Sequence, residues 1–211
     1  MSIELKSRPR LAPDARREAI LDVAVEVFME VGFAAASMSM IAARLGGSKG
    51  TLYNYFKNKE ELFTAGVLRH CAWHQEEIQA AAYDASLDIE DALHRLGRKL
   101  LAIILSDFGL SNFVLVVSEA PRSPEIGKAF YEAGPATGVR MLMDLIARAV
   151  EKGRLRPCDP AMAAHQFVGL CQNRMLKARL CNALPEPTPA EIDSEVNAAV
   201  STFMAAFGRE P

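Results

Sequence analysis

Apolar residues recur at three- and four-residue spacing along almost the whole chain, and the alternation expected of half-buried strands is nearly absent. Ile20, Ala24, Val27, Phe28 and Val31 form the first such stripe, with Pro13 and Asp14 ahead of it as start signals and Gly32 behind it as a stop. Met38, Ile41, Ala42 and Leu45 make a second, shorter stripe that Gly46 can end by turning left-handed. Ser48 is a good N-cap for a third helix of barely two turns, in which Leu52 and Phe56 are the buried i, i+4 pair. Asn58 caps a fourth, with Glu61 completing a capping-box-like arrangement before Leu62, Phe63 and Val67.

Further stripes run over 89–105, 112–119, about 129–150, 160–180 and 189–207, parted by turn formers at 106–111, 121–124, Gly134-Pro135, 153–160 and 185–189. The fold class predicted is all-α, about nine helices with short connections, as in a bundle. Two domains are expected, over 13–73 and 84–208. A chain of 211 residues, half of them hydrophobic, can bury a sizeable core and lies far from disordered composition. Its longest apolar runs, 100–105 and 113–117, are too short to span a bilayer, which takes roughly 18 residues. The charged first eighteen residues lack the apolar region of a secretory signal, so a cytoplasmic location with no membrane partner is expected. Cys71, Cys158, Cys171 and Cys181 show no C-x-x-C spacing and read as reduced thiols.

The net charge of -2 hides an uneven distribution. Residues 1–63 carry 9 Lys/Arg against 8 Asp/Glu, whereas 64–211 carry 15 against 18. The 23 residues from Ser37 to Lys59 include Arg44, Lys49, Lys57 and Lys59 and no acid. A helix, a tight glycine turn and a second short helix is the pattern of a helix-turn-helix, whose second helix enters the DNA major groove. Here that helix offers Ser48, Lys49, Gly50, Thr51, Tyr53, Asn54 and Tyr55 around an inward Leu52 and Phe56. Hydroxyls, an amide and an ammonium suit phosphates and base edges. Tyr53 and Tyr55 can also be read as half-buried aromatics, and the lysines as a solvated face. The absence of acids across the segment favours DNA.

The run from about Arg16 to Val67, and above all SKGTLYNYFKNKEEL, resembles the DNA-binding domain of the TetR family of bacterial transcriptional repressors. The later stretch VSEAPRSPEIGKAFYEAGP is similar to the AefR-like branch of that family. The resemblance implies an all-helical homodimer whose N-terminal helices bind palindromic, double-stranded operator DNA and whose C-terminal domain binds a small-molecule effector. It implies that Lys49, Gly50 and Thr51 open the recognition helix, Gly50 by close approach. Tyr53 and Tyr55 then fall on phosphates, and Lys59 holds a phosphate at the start of helix four. Ser39 stands where some relatives read a base with arginine, and Ser37, at the cap of helix two, is expected with it among the DNA-binding residues. Ala36, Met40 and Gly47 depart from the family's frequent threonine, acid and apolar residue, which should loosen helix two and the turn slightly. An N-terminal arm with Lys6, Arg8, Arg10, Arg16 and Arg17 can add phosphate or minor-groove contacts.

No catalytic residue, metal site or cofactor is predicted. The order Lys49-Gly50-Thr51 fails the phosphate-loop pattern, and neither G-x-S-x-G nor H-E-x-x-H occurs. His70 and His74 have metal-compatible spacing but no visible third ligand. For an effector the candidates are His70, Trp73, His94, Arg98, Phe108, Phe113, Glu119 and Tyr131, together with Phe130: apolar and aromatic walls with a few polar groups. Ordinary core accounts for the same list. The resemblance also implies a dimer interface on the last two helical segments, where Ala163, Ala164, Met175, Ala198, Ala199, Met204 and Ala205 would permit close packing.

Overall fold

The computed structural model describes residues 13–82 and 88–209. It is helical throughout, with α1 (Pro13–Ala35), α2 (Met38–Leu45), α3 (Lys49–Tyr53), α4 (Lys59–Ala82), α5 (Ile89–Ile104), α6 (Asp107–Glu119), α7 (Pro124–Ala133), α8 (Pro135–Glu151), α9 (Pro160–Gln172), α10 (Met175–Leu180) and α11 (Pro189–Phe207). Among the described residues the sole β pairing is an isolated bridge between Leu155 and Gly208. No single helix in them is long and apolar enough to cross a membrane.

Nine expected helices become eleven elements for local reasons. Gly134-Pro135 divides the 129–150 stripe, because a proline fits the first turn of a new helix and not the interior of an old one. Asn173 and Arg174 interrupt 160–180 with no glycine or proline to announce it. Helix α6 starts at Asp107 instead of Asn112, since the Ser106 hydroxyl oxygen accepts from the Gly109 N–H at 3.0 Å and caps it at once.

The chain divides into two compact units, one ending at Gly66 and one starting at Val67. The N-terminal unit is built on α1. Ile20, Ala24, Val27 and Phe28 are buried as their spacing predicts, Leu21 is buried beside them, and Val31 is exposed. The reason lies at Gly32, whose φ of 77° breaks the regular helix and turns Phe33 inward. Phe28, Phe33 and Phe63 then form a trio with centroids 4.9 to 5.7 Å apart. Helix α3 has five residues and cannot be stable alone. Leu52 and Phe56 anchor it, each removing apolar surface worth roughly 1.5–3 kcal/mol.

The C-terminal unit has its own core of Leu93, Leu101, Leu105, Leu142, Ile146, Phe167, Val196 and Phe203, in which α5 packs on α11 and α8 on α9. Gly97 lets α5 approach closely, because a Cβ there would lie 2.9 Å from a methyl of Val196. Arg179 is buried and donates to Asp107 Oδ1 at 2.6 Å, to the Leu105 carbonyl at 3.2 Å and to the Leu184 carbonyl at 2.9 Å. One arginine thus ties the loop after α10 to the α5–α6 junction. Thr188 and Glu191 form a full capping box at the head of α11.

Candidate nucleic-acid interface

The two caps that set the α2–α3 geometry form despite the sequence departures. The Ser37 hydroxyl oxygen accepts from the Met40 N–H at 3.2 Å, so α2 is capped without the reciprocal acid. Gly46 adopts φ 69°, and the Ser48 hydroxyl oxygen accepts from the Thr51 N–H at 3.2 Å. Ser37, Ser39 and Thr51 are half-buried, whereas Ser48, Lys49, Gly50 and Asn54 are exposed. Tyr53 is 51% exposed, and Tyr55 is half-buried. With Leu52 and Phe56 inside, α3 presents a face of hydroxyl, amide and ammonium donors.

Electrostatically that face is unopposed. No carboxylate pairs with the Lys49 or Lys57 side chain among the described residues. Arg44 behaves differently: Glu30 of α1 accepts from it at 2.6 Å, and that hydrogen bond holds the glutamate below the ordinary carboxylate range. Arg44 of the acid-free stretch is therefore ion-paired to a carboxylate from outside it.

Lys59 turns towards the end of α1. Its ammonium donates to the carbonyls of Phe33 at 2.7 Å, Ala36 at 3.0 Å and Ala34 at 3.4 Å. It also lies 4.3 Å from the centroid of the Phe33 ring. Those carbonyls are orphaned where α1 breaks at Gly32, and a cation satisfies several at once. At the adjoining start of α4, the Asn58 side-chain oxygen accepts from the Glu61 N–H at 2.7 Å. Glu61 in turn accepts from the Lys57 N–H at 2.8 Å, one residue earlier than a regular capping box. Lys6, Arg8 and Arg10 lie outside the described residues.

In the C-terminal unit the effector candidates separate into groups. The His70 ring lies 4.5 Å from that of Phe108 and 4.3 Å from that of His74, with 3.1 Å between the two Nε2 atoms. Burial, then the neighbouring His74 and Arg69, lower the His70 pKa to about 4. Phe113 faces Phe130 at 6.2 Å. Glu119 is buried on α6, in line with Asn112 and Val116, and accepts from the Ser123 hydroxyl at 3.4 Å. His94 has a buried Nδ1 without a hydrogen-bond partner among the described residues. Trp73 is 61% exposed and stacks on the His74 ring with centroids 5.3 Å apart, Tyr131 is 53% exposed, and Arg98 is held in an ion pair with Asp193 at 2.5 Å. Asn112 escaped the sequence reading because a lone asparagine in an apolar stripe resembles a helix start. No group of three or more His, Cys, Asp and Glu able to hold a metal ion occurs among the described residues.

The residues expected at a dimer seam also divide. Ala163, Ala164, Met175 and Ala199 are buried within the chain's own core, whereas Ala198 and Ala205 are exposed and Met204 is half-buried. Beside them a groove of about 400 Å³ runs between α9 and α11, lined by Gln166, Gly169, Asn173, Thr202 and Ala206 among others.

Comparison with known proteins agrees over both units. The family model for bacterial regulatory proteins of the tetR family matches residues 20–65, and that for the C-terminal domain of AefR-like transcriptional repressors matches residues 91–209. The chain is 28% identical over 159 residues to the uncharacterized HTH-type transcriptional regulator YhgD of Bacillus subtilis, covering 74% of this chain and 80% of that one. A TetR-family transcriptional regulator from Mesorhizobium loti superposes with a TM-score of 0.86 at 26% identity, over 94% of this chain and all of the other. The flavonoid-responsive regulator FrrA superposes with a TM-score of 0.76 at 28% identity over the same shares. A helix-turn-helix with an acid-free recognition face, joined to a helical domain matched over 91–209, places this chain in the TetR family of bacterial transcriptional regulators, in its AefR-like branch.

Proposed function

We propose that this regulator is a ligand-released repressor that binds a palindromic operator as a homodimer. The observation that carries the reading is the α3 face, where Lys49, Tyr53 and Asn54 stand exposed above a buried Leu52 and Phe56. In a two-fold dimer, two such helices about one DNA turn apart enter successive major grooves. Occupying that site blocks transcription. The match to a repressor family supports the sign of regulation. The small exposed residues Gly169, Ala198 and Ala205 support close packing of α9 and α11 against a second copy. Likeness to a flavonoid-responsive regulator, together with the His70–Phe108 and Phe113–Phe130 contacts, supports a small effector with apolar or aromatic surface. Such a ligand acts by binding better to a dimer whose helix spacing misfits DNA.

The test is selection of the purified protein against a random duplex library at physiological salt, where non-specific binding is weak. Recovery of an inverted repeat is expected, and transcription from a promoter carrying that repeat should fall when protein is added. Enrichment of no sequence overturns operator binding; a rise in transcription makes the protein an activator.

A further inference from the structure

The turn between α2 and α3 contains two glycines, and only one of them is explained by backbone conformation. The Gly46 N–H donates to the Ala43 carbonyl and the Gly47 N–H to the Ala42 carbonyl, both at 3.1 Å. This is a Schellman closure in which Gly46 takes the left-handed position, φ 69°. Gly47 is not left-handed. In this motif the residue at position 47 usually returns an apolar side chain to the last turn of the helix. Gly47 has none, and the vacated space is occupied: a Cβ built on it would lie 3.2 Å from Nη2 of Arg16.

Arg16 stands near the start of α1, half-buried, and no carboxylate pairs with it among the described residues. Its neighbour Arg17 contrasts with it, being 3.6 Å from Glu18 and stacked 5.3 Å from the Phe56 ring centroid. One Nη of Arg16 thus lies where a side chain at position 47 would begin, two residues before Lys49, with no carboxylate paired to it among the described residues. We infer that Gly47 is a seat for the Arg16 guanidinium, holding it at the mouth of α3 as a contact to the DNA backbone beside Lys49. This rests on the DNA-binding reading above. A planar fork offers two parallel donors to one phosphate, and holding it in place beforehand removes part of the ordering that binding would otherwise require. Arginine reaching back from α1 also explains why position 47 carries no side chain where φ does not require glycine.

The experiment measures affinity of the full-length protein for a mixed-sequence duplex across a series of salt concentrations. Each phosphate contact contributes close to one to the slope of log affinity against log salt. R16Q is expected to lower that slope by about one per bound protomer, with helix content and Tm unchanged. G47L fills the seat, displaces Arg16 and should lower the slope by the same amount. The R16Q/G47L double variant should lose nothing further, since both substitutions remove one interaction. G47A should stay near wild type, because 3.2 Å from the far end of a flexible side chain is relieved by a small shift. If G47L does not fold, G47V takes its place in the cycle, its two methyl groups filling the same space. A wild-type slope for R16Q, or losses that add in the double variant, overturns the seat. Failure of the wild-type protein itself to bind duplex DNA overturns the DNA-binding reading, an outcome distinct from normal wild-type binding with an unaffected R16Q.

Discussion

The Lys59 ammonium donates to the carbonyl oxygen of Phe33 at 2.7 Å and lies 4.3 Å from the centroid of the same residue's ring. One side chain thereby closes the broken end of α1 and joins it to the first turn of α4, 26 residues away. In a phosphate-binding role, Lys59 would act directly on affinity; as built, it positions the framework that carries α3.

Lys59→Ala should therefore destabilise the protein, by about 1–2 kcal/mol for a charged donor lost from several carbonyls in a half-buried place. Urea titration gives the magnitude. The salt dependence of DNA binding should stay unchanged if the ammonium keeps its carbonyl partners in the complex. A slope reduced by about one would return Lys59 to the interface.

Lys49 and Tyr53 should separate by kind. Lys49→Ala is expected to change preference at one base pair of the selected operator by about 1–3 kcal/mol, whereas Tyr53→Phe should weaken all sequences alike. Binding to a panel of single-base operator variants checks both, and equal losses on specific and random DNA for the Lys49 variant would refute base reading.

His70 makes stability depend on pH. Its folded pKa of about 4 lies below the ordinary value of 6.5, because burial disfavours the imidazolium and His74 and Arg69 oppose it further. The unfolded chain then binds the extra proton between those values, so the stability contribution is complete above pH 6.5 and is lost as pH falls towards 4. Tm should drop between pH 7 and pH 5, and His70→Phe should flatten that part of the curve. Identical curves for both proteins would show that His70 titrates normally.

The thiols should react in two classes. Burial raises the Cys71 pKa to about 11 and the Cys171 pKa to about 12, while Cys181 is exposed. At neutral pH a thiol reagent should modify Cys181 first in the native protein and reach Cys71 and Cys171 only on denaturation, since the thiolate is the nucleophile. Peptide mapping after brief labelling identifies the sites, and early modification of Cys171 would contradict its burial.

Much of this was legible along the chain. The 3.6-residue stripes and the Ser37, Ser48 and Asn58 caps specified the helix-turn-helix, and Leu52 with Phe56 set which side of α3 faces outward. Those signals act within one or two turns, where spacing alone decides which side chains are neighbours. The effector list was less legible for a related reason. A helical stripe says that Trp73 and His70 lie on α4 but not which of them meets α6, and the structure brings His70 to Phe108 while leaving Trp73 outside.

The sequence by itself determined the all-helical class, the position and register of the recognition helix and its lack of acids, because each depends on residues a few positions apart. Only the tertiary structure decided that Lys59 serves α1, that Glu30 reaches Arg44, that Arg16 occupies the space above Gly47, and that Asn112 and Glu119 are buried on α6. These partners come from separate helices or turn inward from one helix face. Their meeting depends on how helices cross and where α1 breaks, which packing of whole faces settles and local periodicity does not.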